Sequence, residues 1–454
     1  MAKYKLIAWY LILLVGPLQA SCPFFLTISL TGKTLHDACL EVNWGPDCAA
    51  PPEWIGIYNR DPTISNFQPE MRIDGIKNRT GKITTHIKLG KLHYPGGWNR
   101  QDLNESPATV YPKGKCLPHY VASYNGTELL TVDCLKIQPN WLAHLKGVAQ
   151  IPIKRLFLPG THASGAFVTN YSKTKSMLVK DYLVAQHFDV WSQLVFGIRY
   201  LDLSVGYKHS DSETMDNGAD NFWIANENMF ITPLTAILRD VRQFVQRSGE
   251  LIVLDFSSFP IGFYKHPEVY SLLYRLIHKE LGDVAYQRNV SNNEQCADRS
   301  YQELHEEKRH VLLLFPTQEL PHPENESPIL CPPWKRFSTS YLNLTQTVNY
   351  MRLLFSKKPD SPVQDEGWIF YGVKSMEETL NSHKLQTAKE RAAFINPKIN
   401  QWLKGPWGMN ANVVAMDYFS NTNIVDVARE INIYKGFLSS NEKFFNIELL
   451  SLWH

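Results

Sequence analysis

A small all-β sandwich followed by a (β/α)₈ barrel of the α/β class is the architecture that the sequence predicts. Three observations carry this expectation. Residues 21–140 read as short strand-like runs separated by turn residues. From about residue 150 onward, continuous apolar runs alternate with amphipathic helical segments. With 454 residues, the chain has material for two or three domains and a large core.

The chain opens with targeting features. Lys3 and Lys5 form a basic region, Leu6–Val15 an apolar region, and Leu18-Gln19-Ala20 a small-residue cleavage site, so residues 1–20 are expected to be a signal peptide. The apolar region is too short for a membrane span, and the C-terminus lacks the long apolar tail of a lipid-anchor signal. The expected location is extracellular. Seven N-x-S/T sequons agree, at Asn78, Asn104, Asn125, Asn170, Asn289, Asn325 and Asn343. Seven cysteines fit an oxidising compartment. The simplest pairing is Cys116 with Cys134 and Cys296 with Cys331; Cys22, Cys39 and Cys48 leave one thiol odd. A net charge of +2 gives no bulk attraction to nucleic acid.

In the sandwich region, Phe24–Leu30 and Leu129–Val132 are strand-like, and Asn125-Gly126 marks a hairpin. Glu53–Tyr58 is a strand whose Trp54 and Tyr58 fit either a place in the sandwich core or a ligand surface, the core at least as well. The barrel is expected over residues 145–436, with an extension over 437–454. Its strands are expected at Ile153–Leu158, Ile198–Leu203, Phe222–Ala225, Leu251–Phe256, Val311–Phe315, Trp368–Val373 and Val413–Phe419, because continuous apolar runs suit parallel strands buried on both faces. The eighth is placed near Arg336–Tyr341, and an incompletely closed barrel stays open. Thr232-Pro233 and Gly249 bound one helix, with Leu234, Ile237, Leu238, Val241, Phe244 and Val245 on its inner face. A second runs over Pro267–Leu281, and a last one follows Asn423.

Chemistry in such a barrel sits at the C-terminal ends of the strands. His162 follows the first strand, Asp202 and Ser204 end the second, Asn226 and Glu227 the third, Asp255 and Ser257 the fourth, and Asp417 the last. Their convergence predicts a pocket. His209, in the loop before the third strand, reads as a solvated side chain. The lysines of Lys173–Lys180 read as a solvated loop and helix start.

Three stretches carry a family resemblance: Leu156-Phe157-Leu158-Pro159-Gly160-Thr161-His162-Ala163-Ser164-Gly165, Phe196–Leu203 and Phe222–Glu227. In order and spacing they resemble the X domain of the phosphatidylinositol-specific phospholipases C, and more closely the secreted, insect-type branch of X-domain-containing proteins. The resemblance spans about residues 145–436. It implies a phosphoric diester hydrolase. A first-strand His is the general base toward the inositol 2-hydroxyl, a third-strand His is the general acid, and an Arg or Ca²⁺ neutralises the phosphorane. His162 matches the first His, Asp202 the second-strand acid, and Asp417 the carboxylate that orients the first His.

The departures are equally plain. Ala163 stands where the family places Asp or Asn, Ser204 where it places Arg or a carboxylate, Asn226 at the second His, and Ser257 where Lys or a carboxylate is common. Loss of a general acid costs about 10²–10⁴ in rate, and loss of one preorganised charge stabiliser about 10²–10³. Calcium takes about six or more oxygens, so no Ca²⁺ or other cofactor is expected. The expectation is a protein of phospholipase C type, impaired or inactive toward phosphatidylinositol. Its ligand is a phospholipid head group or another phosphodiester or polyol, met through transient membrane-surface contact. A phosphodiesterase with an altered acid or substrate, Glu227 being the displaced acid, and a protein-interaction scaffold are the alternatives.

Overall fold

The computed structural model describes residues 23–32, 35–45, 51–65, 67–104, 107–145, 147–168, 183–209, 219–226, 229–292, 294–321, 327–356, 365–374 and 386–451. The expected signal peptide, Cys22, Cys48, Asn170, Lys173–Lys180, Glu227 and Asn325 lie outside these, as do the side chains of Asn104 and of residues 441–451. The chain divides into two compact units, Met1–Lys91 with Cys116–Leu135, and Leu92–Lys115 with Lys136–His454.

The first unit is all antiparallel. Strands β1 (Phe24–Ile28), β2 (Cys39–Trp44), β3 (Trp54–Tyr58), β4 (Met71–Asp74), β5 (Gly81–Lys88), β6 (Lys115–Asn125) and β7 (Glu128–Ile137) form two sheets, ordered β1-β2-β5 and β4-β3-β6-β7. Ile28, Leu40 and Val42 of the first sheet and Ile55, Ile57 and Val121 of the second are wholly buried. Alternation along β3 puts Ile55 and Ile57 on its buried side. Trp54 is half-buried instead, stacked on Tyr124 at 4.0 Å with Arg72 over its ring. Tyr58 is buried, its hydroxyl 3.0 Å from that of Tyr124. The β6–β7 hairpin turns at Gly126, whose φ of +54° suits glycine. The expected Cys116–Cys134 disulfide joins these two strands, with Cα atoms 5.6 Å apart. Cys39 is a free thiol.

The second unit is built on a curled parallel sheet. In chain order its strands are β8 (Leu158–Thr161), β9 (Tyr200–Tyr207), β10 (Phe222–Asn226), β11 (Met229–Pro233), β12 (Ile252–Ile261), β13 (Val311–Leu314), β14 (Leu330–Cys331), β15 (Lys335–Ser338), β16 (Trp368–Tyr371) and β17 (Val413–Met416). Eight of them run side by side in the order β14-β13-β12-β9-β8-β17-β16-β15. The first and last strands in sequence, β8 and β17, are paired in parallel, so the sheet closes on itself there. The ladder is open between β14 and β15. Helices α1 (Val190–Phe196), α2 (Leu234–Ser248), α3 (Pro267–Leu281), α4 (Tyr301–Glu306), α5 (Leu344–Leu354), α6 (Ala388–Leu403), α7 (Pro406–Asn410) and α8 (Ile424–Ser451) accompany the strands. The expected Cys296–Cys331 disulfide forms, with Cα atoms 6.1 Å apart.

One expected barrel strand is not part of the barrel wall. Phe222–Asn226 pairs antiparallel with β9 and then with β11, as a hairpin off the sheet. Lys208 N–H bonds Asn221 O at 2.9 Å, continuing this ladder from β9 directly. A parallel return needs a crossover, usually helical, whereas an antiparallel return does not. The run is also not buried on both faces, since Trp223 is half-exposed beneath the Lys208 ammonium. The short pair Leu330–Cys331 supplies the missing parallel strand instead. At the next helix, Thr232 belongs to β11 rather than capping, Pro233 is the N-cap, and Gly249 ends the helix at φ +67°.

Leu92–Lys115 packs with the barrel although its Pro-Gly-Gly sequence reads as sandwich turns. Trp98 is wholly buried against Trp191 and Phe244, with ring centroids 6.4 and 5.8 Å away. Arg100 pairs with Asp189 at 2.9 Å and with Asp240. Below β9 and β12, Arg199 and Glu250 form an ion pair of 2.6 Å with both side chains fully buried. Arg199 also donates to the carbonyls of Leu194, Ile198, Gln138 and Pro139, and Glu250 accepts from the N–H groups of Leu142 and Ala143. Removing one partner leaves a buried charge uncompensated. Glu250→Gln is therefore expected to lower unfolding stability by about 3–5 kcal/mol in chemical denaturation. A loss below ~1 kcal/mol would show that water reaches the pair.

Candidate functional site

The first-strand loop is shaped by one glycine, one residue at positive φ and one carboxylate. At Gly160 a Cβ would lie 2.7 Å from the Tyr200 ring, so only glycine lets that ring cross beneath β8. Ala163 then adopts φ +43°, uncommon for a residue with a Cβ. Asp202 on β9 holds this turn. Its Oδ2 accepts from Ala163 N–H at 2.9 Å, its O accepts from Ser164 N–H at 2.8 Å, and its N–H donates to Ser164 Oγ at 2.8 Å. Gln186 donates to His162 O and Met416 O, at 2.8 and 2.9 Å, tying the loop to β17. The strained conformation is over-determined by these bonds.

The result aims the His162 ring into a cavity of about 410 Å³. Its Nδ1 is 2.7 Å from Asp417 Oδ1, its Nε2 is 4.0 Å from Asp202 Oδ2, and the Tyr371 ring meets it edge-on. Asp417 itself is set by β17 and by Asn396, which donates to its backbone O. Burial alone would discharge the imidazole. Asp417, by charge and hydrogen bond, and then Asp202 outweigh it, and the pKa of His162 rises to about 9, with Arg391 opposing. The two carboxylates thus favour the imidazolium over the neutral ring.

A second polar network lies deeper, inside the barrel. Asp255, fully buried, accepts from Tyr200 OH at 2.7 Å and receives Arg336 bidentately at 2.6 and 3.1 Å. Tyr200 OH is 2.9 Å from Tyr371 OH, which reaches Asp202 Oδ1 at 3.4 Å. Burial pushes Asp255 up, with Arg336 opposing and the nearby Asp202 adding to the rise. Burial and the neighbouring carboxylates push both tyrosines well up, so they stay neutral donors.

The sequence-derived site residues separate accordingly. His162, Asp202, Asp417, Asn226 and Ser257 line the cavity together. Asn226 donates to Leu183 O at 2.9 Å, and Ser257 to Leu203 O at 3.3 Å. Ala163 contributes its backbone turn. Asp255 stands behind the wall, in the Arg336 pair. Ser204 accepts from Ser258 at 2.8 Å and is not among the lining residues. His209 bonds Gly262 O at 2.9 Å, also away from the cavity. Sequence reasoning missed Arg336, Tyr371, Lys374 and Arg391, which all line it. Arg336 and Tyr371 sit within strand segments that the sequence does mark. Lys374 directly follows the expected strand Trp368–Val373 and is findable as a strand-end residue, whereas Arg391 lies on a helix and follows no strand-end pattern.

These donors do not fit a calcium ion. Asp202 is engaged by the Ala163 N–H and Tyr371, Asp417 by His162, and Asp255 by a guanidinium. Among the described residues, no three His, Cys, Asp or Glu side chains group as metal ligands.

No protein-family model matches this chain. It is similar to two curated relatives, both named PI-PLC X domain-containing protein 3. The Bos taurus protein is 25% identical over 173 residues, which is 34% of this chain and 52% of the relative. The Mus musculus protein is 24% identical over the same length and shares. The chain thus matches about half the length of these relatives. Among solved structures, a phosphatidylinositol-specific phospholipase C of Staphylococcus aureus aligns at 14% identity and a TM-score of 0.48, covering 64% of this chain and 96% of that one. The resemblance to the X-domain family that the sequence suggests thus has counterparts among curated proteins.

The His162–Asp417 contact has a measurable consequence. NMR titration is expected to place the His162 pKa near 9 and to return it toward about 6.5 in Asp417→Asn. Because the folded value is raised, the stability it contributes is full below about pH 6.5 and is lost as pH rises through about 9. Thermal midpoints at pH 6 and pH 9.5 are thus expected to differ more in wild type than in Asp417→Asn. A His162 that titrates alike in both proteins would refute the coupling.

Proposed function

We propose that the His162 cavity binds the phosphodiester of a phospholipid head group or a related ester, and that it turns over phosphatidylinositol weakly or not at all. The observation that carries this reading is the His162–Asp417 pair, 2.7 Å apart, set at the strand ends of a cavity that is also lined by Arg336, Lys374 and Arg391. An imidazolium and three cationic side chains suit an anion. Similarity to X-domain proteins over the shared segment supports a phosphoric diester as that anion.

The acid–base inventory argues for weak turnover. In-line displacement by a hydroxyl needs a base at one end and an acid at the other. His162, with its pKa raised to about 9, is mostly protonated at pH 7 and is a poor base there. Asn226 lines the cavity at the position of the family's second His, and a carboxamide gives up no proton. His162 is thus an anion-binding group and potential proton donor, with no second imidazole opposite it among the lining residues.

The setting that fits is extracellular. Two disulfides and exposed sequon asparagines at Asn78, Asn125, Asn289 and Asn343 support secretion and glycosylation. Among the described residues no helix is long and apolar enough to cross a membrane, so a lipid ligand would be met by transient surface contact. Tyr341, which lines the cavity and is 69% exposed, suits such contact.

The test is turnover of phosphatidylinositol and a panel of phosphodiesters by the purified protein, with and without Ca²⁺, beside His162→Ala. The expected result is binding of phosphatidylinositol vesicles with turnover at the level of the variant. Calcium-independent turnover abolished by His162→Ala would overturn the impaired reading and direct the search for an acid to Glu227. Failure to bind any phosphodiester would overturn the ligand class.

A further inference from the structure

Arg391, on the first turns of α6, is only 8% exposed. A buried guanidinium is ordinarily paired, because an uncompensated charge away from water is costly. Arg199 obeys this rule, meeting Glu250 at 2.6 Å, and even the more exposed Arg336 meets Asp255 at 2.6 Å. Arg391 does not. Nη1 donates to Gln386 O at 2.7 Å, Nε is buried with no partner, and no described carboxylate pairs with it. Its helix is already capped by Thr387 and Glu390, so the guanidinium is not needed there.

The unpaired charge faces the same cavity as His162 and is close enough to oppose the protonation of that ring. The two carboxylates that line the cavity, Asp202 and Asp417, are engaged elsewhere, as described above. Arg336, the other guanidinium in the wall, is committed bidentately to Asp255. Among the described residues none supplies a counter-ion to Arg391, which leaves that place to a ligand.

We infer that Arg391 receives the non-bridging oxygens of the bound phosphodiester, the role that Ser204 on β9 cannot fill. This rests on the reading of the cavity as a phosphodiester site. The charge comes from a helix late in the chain, not from the second strand of the barrel. A guanidinium presents donors in a fork that matches two phosphoryl oxygens, so binding ligand would satisfy both the free Nε and the net charge.

The test uses the full-length protein with myo-inositol 1-phosphate and neutral myo-inositol as probes, by isothermal titration calorimetry and thermal unfolding. Wild type is expected to prefer the phosphate. Arg391→Gln is expected to weaken phosphate binding by about 10- to 100-fold and to leave myo-inositol binding unchanged. Its thermal midpoint without ligand is expected to hold or rise, since a lone buried charge has been removed, and the rise that the phosphate gives wild type is expected to shrink. Arg391→Lys restores charge without the fork and is expected to fall between. Undiminished phosphate affinity in folded Arg391→Gln would overturn the inference while leaving the phosphodiester reading in place. So would a lower midpoint with unchanged affinity, which would mark Arg391 as purely structural. If wild type itself shows no preference for the phosphate, the phosphodiester reading falls and the inference falls with it.

Discussion

The Asp255–Arg336 pair is the constraint on which the barrel of this protein depends. The backbone ladder runs from β14 round to β15 and stops, leaving one seam without strand hydrogen bonds. Arg336 projects from β15 and Asp255 from β12, on opposite sides of that seam, and they meet in the interior with two hydrogen bonds. Tyr200 and Tyr371 extend the link to β9 and β16. A charge as buried as Asp255 is tolerable only when it is paired and its lone pairs are filled. Closing the seam and filling the core are thus one event.

The candidate site inherits its geometry from this network. Tyr371 touches Asp255's partner Tyr200, then Asp202, and packs edge-on to His162. Asp202 in turn grips the first-strand turn through the N–H groups of Ala163 and Ser164. The carboxylate that a motif reading assigns to chemistry here does structural work as well: it keeps Ala163 at positive φ so that His162 faces the cavity. Asp417 then determines the charge on that ring.

The chemistry left in the cavity is lopsided. Cations outnumber the carboxylates that could serve a reaction, and the group opposite His162 in the family pattern is an amide. This suits recognition of an anion more than proton traffic at both ends of a phosphorus centre. Positive charge reaches the cavity from β15, the segment after β16 and α6. Polar groups from any of the barrel's strand-end loops can reach the same mouth without altering the fold.

By itself, the sequence determined an antiparallel first part, a parallel-sheet α/β part after it and both disulfide pairs; it set His162, Asp202 and Asp417 at strand ends and left the closure of the barrel undecided. These follow from local signals: apolar runs, turn residues, helix stops and polar residues at strand ends. Phe222–Ala225 shows the limit, because an apolar run states that a strand forms but not which neighbour it takes or in which direction. Only the tertiary structure decided that this strand folds back on β9, that Leu330–Cys331 joins the barrel instead, and that Leu92–Lys115 packs by Trp98 beside Trp191. It alone decided the partners of the buried charges as well. Arg336 and Arg391 read alike in a sequence, each as an arginine beside a lysine one or two residues earlier. One finds a carboxylate 81 residues away and the other finds none among the described residues, because pairing in a core depends on which side chains the curled sheet brings within about 3 Å.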